Sequence, residues 1–408
     1  KIKLGYTQEA VDGLELLSDF NETDIAFLQH STDALIKAKD FKNAQAVIDK
    51  AKQVAPNNPY LELKRAELLL AQQDIGAIEA FEYALSLDSS LALVEQKLAV
   101  QYLRFDQDKK AQSLAERWIA MDASRVTGYL LKGVISLKNS NLVEAENAYQ
   151  EALKLDKENV TALYAIAVMR FNAKEFAESS DILKSVLSIE PSHAGAITYL
   201  SKTATKLNNV ESVVSFLENV KETDVPNVTL ELGLAQNYRN QGLPEKAISL
   251  LESLDQSQGM PESYWTILGD AYIQVEQFDK AESTLNSGLA QYKMSYPINL
   301  RLIGMYDVKT EYSKALSTTK LMIAEYPRDM RFQILEALFE LRTKNIVRAK
   351  ELSNSLLERK VSHSLVDVVA GQLALIEKDY ESSISHFNSA YERRVTRMNA
   401  VNLARALK

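Results

Sequence analysis

The chain has 408 residues, no cysteine, and 47 Lys and Arg against 55 Asp and Glu, for a formal net charge of −8. That length exceeds what one globular core normally supports, so several domains or a repeat array are required. The acidic balance argues against a non-specific nucleic-acid binder, the missing cysteines exclude disulfides, thiolate catalysis and zinc–thiolate sites, and no apolar run reaches the roughly 18–20 residues that cross a bilayer.

Only 13 Gly and 8 Pro punctuate a chain rich in good helix formers, which predicts an all-α architecture. Residues 1–24 read as the second helix of a helix pair. Lys1 is not an initiator Met, so the chain is expected to continue before it. From Ile25 to Arg397 the sequence keeps a strict beat that predicts eleven complete repeats. A small or slim residue recurs at Ala10, Ala44, Ala77, Ala111, Ala145, Ser179, Val213, Ala247, Ala281, Ala315, Ala349 and Ser383, 34 residues apart except for 33 between Ala44 and Ala77. A second series keeps step at Thr32, Ala66, Ala99, Gly133, Ala167, Ser201, Ala235, Gly269, Ile303, Ala337 and Gly371. Small side chains in register let two helices approach closely. The short repeat, 59–91, predicts a one-residue deletion in its turn near Asp74–Gly76. Residues 398–408 read as the first helix of a further repeat. With no polar cap at either end, a single array within a longer protein is the expectation.

The repeat at Glu262–Ser295 shows the unit most clearly. Trp265, Leu268, Gly269 and Tyr272 share one helix face, a turn follows near Gln277–Phe278, and Ala281, Leu285 and Gly288 share a face of the second helix. Tyr129, Gly133, Ala145, Tyr149 and Ala152 match this pattern, as do Leu163, Ala167, Phe176, Leu183 and Pro191. These positions resemble the tetratricopeptide repeat. The resemblance implies a right-handed superhelical solenoid of 34-residue helix-turn-helix repeats. Glu336 and Glu340 stand where that pattern has Leu and Tyr, and Lys132 displaces a core Leu. A slight rotation of those first helices about their axes is expected.

Catalytic chemistry finds no foothold. His30, His193, His363 and His386 show no metal-ligand spacing, no Gly-rich phosphate loop or nucleophile elbow is present, and no carboxylates are expected to converge on a cleft. Neither a cofactor nor a metal is expected. Trp265 reads as a core aromatic, and Trp118 as filling a gap between neighbouring repeats. Arg393, Arg394, Arg397 and Arg405 read as a solvated basic patch.

First helices line the inner surface in the family that the chain resembles. Positions beside the core ones then read Leu130, Val134, Leu137, Tyr164, Val168 and Phe171, followed by Lys202, Lys206, Gln236, Arg239 and Asn240. An apolar wall beside a cationic one suits a protein or peptide with a hydrophobic stretch and an acidic end. The carboxylate-clamp and Asn-ladder arrangements of some family members do not match these positions. Residues 128–171 and 183–200 resemble the repeat lipoproteins encoded beside exosortase/PEP-CTERM sorting systems of Gram-negative bacteria. That resemblance implies a periplasmic protein, held at a membrane only through a lipid on a Cys upstream of Lys1. Its partners would be proteins of exopolysaccharide production and protein sorting. Two alternatives stand: a cytosolic assembly or co-chaperone factor, and the regulatory or substrate-recruiting arm of an enzyme whose catalytic domain lies outside this chain.

Overall fold

The computed structural model describes residues 24–221, 227–256 and 259–407. Among the described residues there are 23 α-helices and no strand. The helix expected within residues 1–24 falls almost wholly outside them. The chain divides into two compact units, Lys1–Ile189 and Glu190–Lys408, and each is described by itself.

The first unit holds α1 (Asp24–Lys37), α2 (Phe41–Val54), α3 (Pro59–Ala71), α4 (Gly76–Leu87), α5 (Ala92–Arg104), α6 (Asp108–Met121), α7 (Val126–Lys138), α8 (Leu142–Leu155), α9 (Val160–Asn172) and α10 (Phe176–Ile189). The second holds α11 (Ala194–Leu207), α12 (Val210–Lys221), α13 (Val228–Asn240), α14 (Pro244–Glu252), α15 (Glu262–Gln274), α16 (Phe278–Gln291), α17 (Tyr296–Val308), α18 (Tyr312–Glu325), α19 (Met330–Arg342), α20 (Ile346–Glu358), α21 (Ser364–Ile376), α22 (Tyr380–Arg393) and α23 (Arg397–Ala406). Odd-numbered helices are the first of each pair and even-numbered ones the second. The last helix starts at Arg397, one residue before the first helix expected over residues 398–408.

Starts and stops are set locally. Asp40, Asn141, Asn159, Ser295, Asp379 and Thr396 cap the helices that follow them by accepting a backbone N–H three residues on, which satisfies an otherwise orphaned donor. His193 does the same through Nδ1, and His363 Nδ1 accepts from the N–H two residues on, so two of the four histidines are spent as caps. Within each pair the turn is made by one residue in the left-handed region, at Lys39, Gln73, Asp106, Ser140, Lys174, Asn208, Gly242, Glu276, Thr310, Lys344 and Lys378. Gln73 lies four residues before its small residue, Ala77, where the other turns lie five before theirs. The missing residue is therefore in the Asp74–Gly76 turn, where Asp74 Oδ1 accepts from Gly76 N at 2.8 Å.

Packing follows the two small-residue series. Ala44, Ala77, Ala111, Ala145, Ser179, Ala247, Ala281, Ala315, Ala349 and Ser383 are each 0% exposed. Where serine replaces alanine, its hydroxyl donates to the small residue of the facing helix: Ser179 to Ala167 O at 2.8 Å and Ser383 to Gly371 O at 3.0 Å. Trp118 is buried and donates Nε1–H to Glu95 at 2.7 Å, with the Arg125 guanidinium 4.1 Å above its ring.

A second rule links successive pairs. Three residues after the small residue of a first helix, a tyrosine reaches back to a glutamate on the preceding second helix and lies under a lysine of the following one. Tyr102 donates to Glu82 and sits beneath Lys110; Tyr238 pairs with Glu218 and Lys246, Tyr272 with Glu252 and Lys280, and Tyr306 with Glu282 and Lys314. Glu340 occupies this same position with its polarity reversed. It is 2% exposed and accepts from Lys320 Nζ of the preceding second helix at 2.7 Å and from Asn345 Nδ2 at 2.8 Å. Ala337 and Ala349 stay buried in register around it. The rotation expected of α19 is thus absent: a partner 20 residues earlier accommodates the carboxylate instead.

Candidate functional site

The first helices α11, α13 and α15 of the second unit enclose a groove of about 520 Å³. Its apolar floor is Ile197, Leu232 and Ile267. Gly233 makes that floor possible, because a Cβ there would stand 2.1 Å from Ile197 Cγ2. Beneath, buried Asn237 bolts α13 to α11, donating Nδ2–H to Ser201 Oγ at 2.7 Å and to Gly233 O at 2.8 Å.

The walls are polar. Thr198, Ser201 and Thr205 line α11 at helical spacing, and each donates its hydroxyl hydrogen to the carbonyl four residues earlier, at 2.9, 2.8 and 3.1 Å. The Thr198 and Thr205 oxygens are left as acceptors, whereas Ser201 Oγ already accepts from Asn237. Opposite them, Gln236 Nε2 donates to Asn240 Oδ1 at 3.0 Å and Gln236 Oε1 accepts from Arg239 at 3.1 Å. Asn240 Nδ2 and the Lys202 ammonium are among the donors in this lining. Lys202, exposed and 4.8 Å from the Tyr199 ring, is the one charged residue in the lining. Such a groove suits an extended polypeptide: apolar side chains on the floor, amides along the walls, and an anionic group near Lys202.

The positions expected from sequence divide between the two units. In the first, Val134 is 36% exposed. Leu130 and Leu137 are half-buried, packed on the core of Ala145, Tyr149 and Ile166. Tyr164 and Val168 are half-buried, as is Phe171, whose ring meets Phe176 edge-on at 5.3 Å. Much of that wall is therefore shared with the core. In the second unit Lys202, Gln236 and Asn240 line the groove, whereas exposed Lys206 lies outside its lining. Arg239 departs from expectation. Its side chain is largely buried, pairing with Asp270 at 3.3 Å and donating to Gln274 at 2.9 Å, while Asp270 also holds Arg301 at 3.0 Å. Burial pushes its guanidinium below the usual range. Arg239 is a strut between first helices, not a charge offered to a ligand.

Ile197, Gly233 and Ile267 were not singled out from sequence. A signal was present for Leu232, Thr198 and Thr205, which continue at 34-residue steps the register of Tyr164 and Phe171. Among the described residues, no three His, Cys, Asp or Glu are arranged to hold a metal ion, and no helix is long and apolar enough to cross a membrane.

Residues 130–194 match the family model described as the tetratricopeptide repeat. That segment of the chain matches the tetratricopeptide repeat. The same buried small residues and left-handed turns recur in both units beyond the matched segment. The CTR9 homolog of Arabidopsis thaliana is 22% identical over 374 residues, 87% of this chain and 34% of that protein. A tetratricopeptide repeat-containing protein of Methanocaldococcus jannaschii is 23% identical over 232 residues, 56% of this chain and 36% of that protein. The chain thus spans about a third of the length of these relatives. The solved structure of a tetratricopeptide repeat protein from Parabacteroides merdae is 16% identical, with a TM-score of 0.47, covering 61% of this chain and 99% of that one.

Proposed function

We propose that the chain is a non-catalytic scaffold that binds partner proteins or peptides, and that its second unit does so in the groove between α11, α13 and α15. The observation that carries this is the groove itself: an apolar floor, amide and hydroxyl walls, and a lining whose one charge is Lys202. A segment with a hydrophobic stretch and an acidic end meets those groups in kind. The cation orients such a segment more than it tightens it.

Capture of partners from the source organism, compared across variants, tests the proposal. Thr198→Trp, an exposed position filled by a bulky ring, is expected to abolish capture at any salt concentration. Lys202→Glu is expected to weaken it most at low ionic strength, where charges are least screened. Unchanged capture by both, with folding intact, removes the groove from consideration.

For the cellular setting, the proposal is a periplasmic protein held at the membrane by a lipid and serving exosortase-linked protein sorting. The resemblance of residues 128–171 and 183–200 to the lipoproteins of those systems supports it. Fractionation of the source organism tests it directly: recovery in the membrane fraction, released when lipoprotein maturation is blocked, is the expected result. Recovery in the cytosol would replace it with the assembly-factor alternative.

A further inference from the structure

The apolar floor of the groove in the second unit has a direction. Ile197, Leu232 and Ile267 follow one another at 35-residue steps, one on each of α11, α13 and α15. Along a single helix the apolar character ends within about one turn, as Ile197 gives way to Ser201 and Leu232 to Gln236, both in the lining. Across the helices it persists for three in succession. The row stops where the next 34-residue step brings Arg301, held by Asp270 at 3.0 Å. Helix α11 packs on α13, and α13 on α15. Gly233 lets Ile197 lie against the α13 backbone. All three floor residues are buried, so the core fixes the row before anything binds.

Neighbouring packed helices stand about 8–10 Å apart, and that distance is the repeat a ligand has to match. In a β-strand, residues on one face recur roughly every 6.6–6.8 Å, which falls out of register at once. A polyproline II segment turns once in three residues at about 3.1 Å each, so the same face returns after about 9 Å. An α-helix matches the distance at every seventh residue, about 10.5 Å, but not the width. Thr229 and Gln236 bracket Leu232 on α13 from seven residues apart, which is about 10 Å along the axis. Their side chains narrow the channel further, below the roughly 10–12 Å that a helix with its side chains needs. Hydroxyl and amide groups beside the row suit a polyproline II backbone, which has no internal hydrogen bonds.

We infer that the groove takes a polyproline II segment of a partner polypeptide, with an apolar residue at every third position seated on Ile197, Leu232 and Ile267. The inference rests on the proposed peptide-binding role of this groove and adds the conformation and spacing of what it binds. The ligand crosses the first helices rather than following one of them. Three seats two helix spacings apart correspond to about seven ligand residues. Lys202 stands on α11, at one end of the row, so an acidic residue at the matching end of the ligand meets it.

The test uses the full chain and four fluorescein-labelled peptides, each with a glutamate at both ends, read by fluorescence anisotropy. The first has the core Leu-Pro-Pro-Leu-Pro-Pro-Leu. Its isomer, Leu-Pro-Leu-Pro-Leu-Pro-Pro, keeps the composition and changes the spacing. Leu-Gly-Gly-Leu-Gly-Gly-Leu keeps the spacing without the preset conformation, and Leu-Thr-Leu-Thr-Leu-Thr-Leu has strand periodicity. The first peptide is expected to bind saturably and about tenfold or more tighter than its isomer, which leaves leucines without a seat. It should also exceed the glycine peptide several-fold, because a preordered chain loses less entropy on binding. Thr198→Trp, at an exposed position in the lining, is expected to abolish binding. Should that variant fold poorly, Ser263→Trp, exposed in the lining on α15, must do so instead. Tightest binding by the strand peptide, lost in the tryptophan variant, would overturn the inference and leave the groove a peptide site. Equal binding of the first peptide and its isomer, equal binding of the first and the glycine peptide, or no binding by any would also overturn it. Binding that survives both tryptophan changes would overturn the inference together with the groove reading.

Discussion

A methyl group added at Gly133 would come within 2.7 Å of the Tyr149 ring, and one at Gly371 within 2.8 Å of Phe387. At Gly304, in the middle of α17, an added methyl meets nothing within 4 Å. The two kinds of glycine should respond oppositely to alanine. Gly133→Ala is expected to destabilise by about 1–3 kcal/mol through overpacking. Gly304→Ala should stabilise by roughly 0.5–1 kcal/mol through helix propensity and the lower entropy of the unfolded chain. Chemical denaturation of both variants checks the pair; equal effects would contradict the packing account. The linking tyrosines add a pH signature. Burial, reinforced by the hydrogen bond to a glutamate, pushes Tyr238 and Tyr306 up to about 12 from the ordinary 10.0. A group raised in the folded state favours folding fully below its unfolded value and loses that contribution as pH climbs through the folded one. Thermal stability should therefore fall between about pH 10 and 12. Tyr306→Phe should lose part of that dependence, and a flat profile in the parent protein would count against the linking role.

At the scale of elements, Glu340 shows why part of the structure was hidden in the sequence. Helical periodicity reports which face of a helix is apolar, and by that measure a glutamate at a tyrosine position is an error. The residue that makes it tolerable, Lys320, lies on another helix and contributes nothing to the local pattern. Removing it should be costly, since it strands a carboxylate that is 2% exposed. Lys320→Ala is expected to destabilise by about 1–3 kcal/mol, the penalty for a buried polar group that loses its partner. Combining Lys320→Glu with Glu340→Tyr rebuilds the commoner arrangement, with Arg348 in the lysine's place, and should recover stability in urea unfolding. A neutral Lys320→Ala would refute this view of α19. The small-residue series, by contrast, was legible because steric size at a fixed period needs no knowledge of partners. Leu130 and Leu137 were read one step too far outward, since a position beside the core can lie half within it. Arg239 was read as a free charge because its carboxylate, Asp270, belongs to the next first helix.

For the molecule as a whole, stability is spread over nearest-neighbour contacts in the manner of repeat proteins. Polar links between first helices accompany those contacts in both units. Lys64 joins Asp33 at 2.6 Å, while Lys97 joins Glu67 in the first unit; Arg301 joins Asp270 and Arg342 joins Asp307 in the second. The fold was readable from length, composition and a 34-residue period. The groove was readable only as a register of residues, since its volume depends on Gly233 and on how closely α11 and α13 approach. Its role as a docking site for a polypeptide is the central claim. The most direct measurement places a photo-crosslinking amino acid at Thr198, in the groove, and separately at Glu245, exposed on the second helix α14, in cells of the source organism. The account predicts a discrete protein adduct from Thr198, weakened by Lys202→Glu, and none of the same mass from Glu245. The same adduct from both positions, or an adduct from Glu245 alone, would contradict it.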